Sequence, residues 1–243
     1  MLPDLVIVID PYLSRVPAWK LWLGRVTPDR TLIAERIQRC DLLLVTHAHF
    51  DHIMDVPEIV RNTGAVAAGS PNSCKLLEAL GVSQNKIQEV HGGDQIFVGE
   101  VRIEVRQARH PRIPGFSPGP LQPDIRPPLR ASSYRMDHCY SFLISANKTR
   151  LLTDPGTRPG DATAADVLFV HPGKDRDYYK SLLRLVKPRV TIPVHWDDFF
   201  RPLSEPLRPY WKPPELAFPP LQRIDLEEFK QTVLMTIPSG RVL

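Results

Sequence analysis

The chain has 243 residues, of which 42% are hydrophobic and 24% charged, and this balance excludes a disordered chain. The formal net charge of +4 mildly favours anionic partners. The sequence has no long block of Lys and Arg, so nucleic-acid binding is not favoured. Three widely spaced cysteines predict neither a disulfide framework nor a Cys-x-x-Cys metal site. With no signal-peptide pattern at Met1 and no apolar run near the ~20 residues of a membrane span, we expect one cytoplasmic domain over residues 1–243, without an integral membrane segment.

The first part of the chain alternates between strand and helix patterns. LVIVID is a buried-strand pattern that stops at Asp10-Pro11, because the residue before proline avoids the helical region. The patterns that follow predict, in order, a helix in 27–40, a strand in 40–47, a helix in 52–64, a strand in 65–70 and a helix in 70–81. Gly64 and Gly81 are the expected ends of the second and third helices.

The second part is richer in strands. Residues 94–110 alternate around a Val98-Gly99-Glu100 turn and predict a hairpin. Strands are then predicted at 140–145, 149–154, 166–171 and 189–195, a helix at 177–187, and one helix or strand pair at 226–240. Prolines concentrate in an arginine-containing insertion from about residue 111 to residue 137 and in a tail from about residue 201, which we expect to be irregular loops.

Metal-capable side chains stand where several apolar strands end. DLLLVT is followed by His47, His49, Asp51 and His52, and later strands are followed by His110, Asp154, His171 and His195. Loops at strand ends can converge on one site while the sheet holds their positions. Imidazole and carboxylate are the ligands expected for zinc, with iron or manganese as alternatives.

Each of these residues also has a structural interpretation. Asp51 could be the N-cap of the following helix, His110 an ordinary loop histidine, and Asp154-Pro155-Gly156 a turn. His195, between an apolar strand and Trp196, could be a core histidine. Three histidines and an aspartate within six positions favour the metal interpretation for the first cluster.

The pattern His47-x-His49-x-Asp51-His52 after a buried strand resembles the signature of the metallo-β-lactamase superfamily. The resemblance implies an α/β fold, a four-layer αββα sandwich, with two divalent metal ions, zinc foremost. It implies His47, His49 and His110 as ligands of the first metal, Asp51, His52 and His195 as ligands of the second, and Asp154 as the bridging carboxylate.

Two shorter motifs, IDPYLS and KPRVTIPVHWDDF, look most like the branch that includes L-ascorbate-6-phosphate lactonase and N-acylphosphatidylethanolamine-hydrolysing phospholipase D. Superfamily members usually have one or two strands before the segment that matches LVIVIDP, and Met1 leaves no room for them. Either the true start lies upstream, or the sheet has an open edge that another chain covers, giving a homo-oligomer.

The predicted reaction is hydrolysis of an ester, lactone or phosphodiester by a metal-bridging hydroxide. Asp51 is a candidate to steer the nucleophile or take a proton. His171 is a candidate to protonate the leaving group or contact the substrate, and its alternative is a helix-capping or surface histidine beside Pro172-Gly173. Arg112, Arg130 and Arg135, with His138, are candidate contacts of a small or lipid-like anionic substrate. The alternatives for this segment are a surface loop and, for Asp137-His138, a loop hydrogen bond.

Three other functions compete with the hydrolase. A ribonuclease Z-like nuclease shares the metal motif and suits the basic charge, but the chain lacks a long basic arm. An iron-dependent sulfur dioxygenase or redox member is a second alternative, although the diiron redox branch has a glutamate where His49 stands. A non-catalytic binding protein is the third, and the complete ligand set argues against it.

Overall fold

The computed structural model describes residues 5–110, 118–211 and 222–243. Its contacts divide the chain into two compact units. The first unit takes its described residues from Met1–Asp94, Pro111–Tyr140 and Phe200–Leu203, and the second from Gln95–His110, Ser141–Phe199 and Ser204–Leu243. The expectation of a single domain stays a prediction.

The first unit contains a four-stranded parallel sheet flanked by short helices. The strands, in sheet order, are β1 (Ile7–Ile9), β2 (Leu42–Leu44), β3 (Val66–Gly69) and β4 (Ile87–Glu89). The helices are α1 (Trp19–Leu23), α2 (Arg30–Arg36), α3 (Phe50–Ile53), α4 (Val56–Thr63) and α5 (Pro71–Ala79). Because all four strands are parallel, their carboxyl ends meet at one edge of this sheet.

The predicted strands and helices of this unit are confirmed, with one difference and two additions. The single helix expected over 52–64 is two helices, α3 and α4. Pro57, in the first turn of α4, has no N–H to donate to Ile53 and therefore interrupts the hydrogen-bond ladder. Helix α1 and strand β4 were not predicted, because both are too short to show a hydrophobic period.

The second unit contains a seven-stranded mixed sheet. Its order is β11 (Arg241–Val242), β10 (Val190–Pro193), β9 (Val167–Val170), β8 (Thr149–Leu152), β7 (Tyr140–Ala146), β6 (Val101–Gln107) and β5 (Gln95–Val98). Strands β5 and β6 form the predicted hairpin, whereas β8, β9 and β10 run parallel to one another. These three strand ends are therefore neighbours along one edge.

Among the described residues of this unit, two α-helices pack on the sheet, α6 (Arg176–Val186) and α7 (Leu226–Thr236). The open choice for 226–240 is thus decided in favour of a helix. Tyr179 and Leu182 of α6 share a buried cluster with Phe229 and Val233 of α7 and with Leu168 of β9. Within the three described ranges, no helix is long and apolar enough to cross a membrane.

Candidate metal centre

In the first unit, the histidines after β2 converge on one another. His47 and His49 are both buried, and their rings meet edge to face with centroids 4.6 Å apart. Nε2 of His47 lies 3.1 Å from Nδ1 of His49, and the ring of His52 lies 3.9 Å from that of His47. Three imidazoles predicted as ligands are therefore brought together by the turn between β2 and α3.

The distance between the two ring nitrogens suits a metal ion. Two nitrogens bound to zinc at about 2.0–2.1 Å in tetrahedral geometry lie about 3.3 Å apart. The 3.1 Å observed also suits a hydrogen bond between the rings. The two nitrogens are therefore already at a separation that suits two ligands of one divalent ion.

Asp10, at the end of β1, organises this cluster and was not among the predicted site residues. One oxygen of its carboxylate accepts a hydrogen bond from Thr46 N at 2.8 Å, and the other accepts from Thr46 Oγ1 at 2.5 Å. The second oxygen also lies 2.9 Å from Nδ1 of His52. Asp10 adopts a positive φ of 46°, which is rare outside glycine. It is a polar residue at a strand end, the signal that identified the other candidates.

Two carboxylates make the surroundings of His52 favourable for positive charge. Asp51 Oδ2 lies 3.6 Å from Nε2 of His52, opposite Asp10. Burial by itself lowers the pKa of His52, but the charges of Asp10 and Asp51 and the hydrogen bond to Asp10 raise it to about 9. The same charges would stabilise a metal cation bound at this ring.

The alternative interpretation of Asp51 as a helix cap is wrong. His49 occupies the N-cap position of α3, and Asp51 lies inside the first turn of that helix. Its carboxylate is therefore directed by the first turn to the neighbourhood of His52, where the two side chains are both mostly buried.

In the second unit, Asp154, His171 and His195 follow the adjacent parallel strands β8, β9 and β10. Asp154 Oδ2 accepts from His171 N at 2.8 Å, and the rings of His171 and His195 lie 5.6 Å apart. His195 has a φ of 54°, a conformation that costs free energy in a non-glycine residue. The sheet therefore gathers three predicted site residues at one edge.

Lys174 joins this group and was missed by the sequence reasoning. Its ammonium lies 2.9 Å from Oδ1 and 3.3 Å from Oδ2 of Asp154, and it also donates to the carbonyl of Gly156 at 2.6 Å. The hydroxyl of Tyr178 lies 3.0 Å from the ammonium, whose nitrogen is 4.3 Å from the centre of the Tyr178 ring. Lys174 lies in the loop after β9, and nothing in the local sequence indicates that its side chain contacts Asp154, the residue that follows β8.

The environment of Asp154 keeps its carboxylate ionised. Burial raises its pKa, but the charge of Lys174 and the hydrogen bonds from His171 N, Lys174 and Gly156 N lower it below the ordinary value. The Tyr178 and Tyr179 hydroxyls are buried, and burial raises the pKa of both. Tyr179 accepts from Lys174 N and donates to the His171 carbonyl, so the loop between β9 and α6 is held at both ends.

The ring of His171 is oriented by its own loop. Nδ1 accepts a hydrogen bond from Gly173 N at 3.0 Å, so in the neutral ring the proton resides on Nε2. Burial and then the charge of His195 lower the pKa of His171 to about 3. His171 is therefore a neutral hydrogen-bond donor through Nε2.

His110 is placed by a close contact between two loops of the second unit. Its neighbour Arg109 forms a parallel bridge with Gly156, and the carbonyl of Arg109 accepts from Thr157 N at 2.9 Å. Gly156 has a φ of +86°, and a Cβ there would lie 2.3 Å from the Arg109 carbonyl oxygen. Only glycine allows the segment after Asp154 to approach the segment before His110 this closely.

The predicted substrate contacts lie in the first unit or outside the described residues. Arg112 belongs to the latter. Arg130 is exposed at the start of a short 3₁₀ turn, and the Arg135 guanidinium donates to the Pro118 carbonyl. His138 stacks on Tyr140 with ring centroids 5.9 Å apart. The roles of all four in substrate binding stay predictions.

The alternative interpretation of Asp137-His138, a hydrogen bond within a loop, is confirmed for Asp137. Its carboxylate accepts from Ser70 Oγ at 2.7 Å and from Asn72 N at 2.9 Å, and so holds the start of α5. His138 N donates to the same carboxylate at 2.7 Å.

Comparison with known proteins decides the family. The profile described as "Beta-lactamase superfamily domain" matches residues 6–196. The chain belongs to this superfamily. Its metallo-β-lactamase fold, of mixed α/β class, is accordingly confirmed, and the matched range includes all seven predicted ligands, with His195 near its end.

Relatives with a name in their description are similar to this chain over most of their length. A UPF0173 metal-dependent hydrolase from Roseiflexus castenholzii is 24% identical over 178 residues, which cover 72% of this chain and 71% of the relative. A UPF0173 protein from Pyrococcus furiosus is 28% identical, with 79% and 76% covered. Among solved structures, Igni18, a metallo hydrolase from Ignicoccus hospitalis, has a TM-score of 0.62 at 21% identity. The alignment covers 100% of this chain and 88% of the Igni18 chain. This last likeness concerns the fold alone.

Proposed function

We propose that this chain is a dinuclear metal-dependent hydrolase. The observation that carries the proposal is the convergence of His47 Nε2 and His49 Nδ1 at 3.1 Å in a buried position. Beside them lies His52, which is flanked by the carboxylates of Asp10 and Asp51. Membership of the superfamily and the naming of relatives as metal-dependent hydrolases support it.

The proposed ligands follow the family order. His47, His49 and His110 would hold the first ion, Asp51, His52 and His195 the second, and Asp154 would bridge the two. Zinc suits a set of imidazoles and carboxylates, and manganese and iron remain candidates. Divalent ions held by these residues would supply a water molecule of lowered pKa and would polarise a carbonyl or phosphoryl oxygen of the substrate.

The protein groups would do the rest of the chemistry. Asp51, held in the first turn of α3, would orient the attacking water and accept its proton. His171, with its proton on Nε2, would donate a hydrogen bond to the substrate or the leaving group, and its role as the acid stays a prediction. Lys174 would hold Asp154 ionised and in place.

We propose an ester, lactone or phosphodiester as the substrate, small or lipid-like and anionic. The +4 charge and the arginines Arg130 and Arg135 support an anionic group. The resemblance of IDPYLS and KPRVTIPVHWDDF to the lactonase and phospholipase D branch supports including lactones and N-acyl phospholipids in a screen. The cytoplasmic location and the homo-oligomer stay predictions.

The first experiment is elemental analysis of protein purified without chelator or affinity metal. About two zinc or manganese ions per chain are expected. His49→Ala and Asp154→Ala should each lower bound metal and hydrolysis, whereas His91→Ala, which alters an exposed loop histidine, should change neither. One iron per chain would favour an oxygenase, and no metal after reconstitution would refute the proposal.

A further inference from the structure

Helix α1 presents an apolar surface to solvent. The exposed fractions of its large side chains are 59% for Trp19, 70% for Trp22 and 82% for Leu23. No residue of this helix is buried. Large apolar side chains scattered singly on a surface are ordinary, but three within five residues form a patch that calls for a partner.

This exposure is built into the fold, because buried residues anchor the segment on both sides. Val16 and Val26 are almost fully buried. Val16 N donates to the Tyr12 hydroxyl at 2.8 Å, and Val26 N donates to the Leu129 carbonyl at 2.8 Å. The helix therefore projects between two fixed points, and its tryptophans are held outward.

The charged residues that neighbour the patch along the chain are all basic. From Pro11 to Pro28 the sequence contains Arg15, Lys20 and Arg25 and no acidic residue. The Lys20 ammonium lies 5.8 Å from the centre of the Trp19 ring, and the Arg25 guanidinium donates to the Pro128 carbonyl. The Lys20 ammonium thus lies beside the exposed Trp19 ring, and Arg25 follows two residues after Leu23.

We propose that this surface, formed by Trp19, Lys20, Trp22, Leu23 and Arg25, docks on an anionic lipid bilayer. Tryptophan favours the boundary between headgroups and acyl chains, because its ring is apolar and its N–H is polar. Anionic headgroups attract the positive charges of Lys20 and Arg25. A five-residue helix inserts at the surface only, so the attachment is peripheral and reversible.

The size of the patch favours a bilayer over a second protein. A stable protein interface buries about 800 Å² on each partner, from some 20–30 residues. One short helix with three exposed apolar side chains is much smaller. A bilayer accepts a few inserted side chains and adds long-range attraction for the cations.

The test is co-sedimentation of the full chain with vesicles made of equal parts phosphatidylcholine and phosphatidylglycerol, with pure phosphatidylcholine vesicles for comparison. We expect binding to the anionic vesicles that weakens with salt, together with a blue shift of tryptophan emission. The double variant Trp19→Ala/Trp22→Ala should bind at least about tenfold more weakly. Lys20→Gln should lower binding to a smaller extent.

A matched control is Met235→Ser, which removes an equally exposed apolar side chain, 81% accessible, from α7. It should leave vesicle binding unchanged. Thermal unfolding of all variants should match the unsubstituted chain, because the altered side chains are exposed. Absence of binding, or equal binding by the double variant, would overturn the proposal. So would a dimer in sedimentation velocity that the double variant abolishes, since the occupant would then be a second copy.

Discussion

The Lys174 ammonium lies 2.9 Å from Oδ1 of Asp154, and both side chains are largely withdrawn from solvent. Asp154 is the carboxylate proposed to bridge two metal ions. Its negative charge would therefore be shared between the Lys174 ammonium and the proposed metal ions. Removal of either cation leaves a partly buried negative charge less well compensated.

Replacement of Lys174 by methionine should therefore destabilise the metal-free chain more than the zinc-loaded chain. We expect a loss of about 2 kcal/mol without metal, after allowance for partial exposure of the pair. The loss should be clearly smaller with zinc, because the metal then neutralises Asp154. Urea unfolding in chelator and in zinc measures both values.

The control is Lys180→Met, which breaks an exposed pair with Asp177 and should cost less than ~0.5 kcal/mol in either state. An equal loss for Lys174→Met in both states would show that Lys174 acts independently of metal.

Replacement of Gly156 by alanine should destabilise the second unit and weaken metal binding. Alanine would have to adopt the positive φ that Gly156 has, and its Cβ would collide with the Arg109 backbone. That backbone cannot move without displacing His110, the next residue. The expected cost is about 2–4 kcal/mol. Gly160→Ala is the matched control, since its Cβ would meet no atom within 4 Å. Unfolding and metal content are the readouts, and a neutral Gly156→Ala would contradict the close approach.

Replacement of Gly173 by alanine should displace the His171 ring. A Cβ at this position would lie 2.3 Å from Cε1 of His171. In the metal-free unsubstituted chain, nitrogen NMR should find Nδ1 of His171 unprotonated and Nε2 protonated, because Gly173 N donates to Nδ1. In the variant we expect this single tautomer to be lost. A spectrum that stays the same would show that Gly173 does not orient the ring.

Asp55 should make stability depend on pH. Its side chain is fully buried and accepts from Leu13 N, Ser14 N and Ser14 Oγ. Burial raises its pKa above 3.8, and these hydrogen bonds offset only part of the effect. Because the folded pKa is above the unfolded value, protonation contributes stability that is complete below pH 3.8 and is lost as pH rises through the folded pKa.

Asp55→Asn should therefore gain stability relative to the unsubstituted chain as pH rises from 3.8, since asparagine has no charge to bury. Unfolding free energies at a series of pH values measure this difference. Asp177→Asn, at an almost fully exposed position, should show no such trend. A constant difference for Asp55→Asn would mean that its pKa is the same in the folded and unfolded chains.

The local sequence predicted most strands and helices, because their apolar periods and end signals lie within each segment. Ser70 and Gly64, for example, mark a helix start and a helix end that the structure confirms. The metal signature was readable for the same reason, since His47, His49, Asp51 and His52 are close in the chain. The break at Pro57 was also readable in principle, but the apolar pattern continues across it.

The sequence by itself therefore determined the class of fold and the chemical types of the candidate ligands. Only the tertiary structure decided which distant residues act on them. Asp10 reaches Thr46 and His52 because β1 and β2 are paired, and Lys174 reaches Asp154 because β8 and β9 are neighbours. Such contacts depend on strand pairing between segments far apart in the chain, which no local period or spacing encodes.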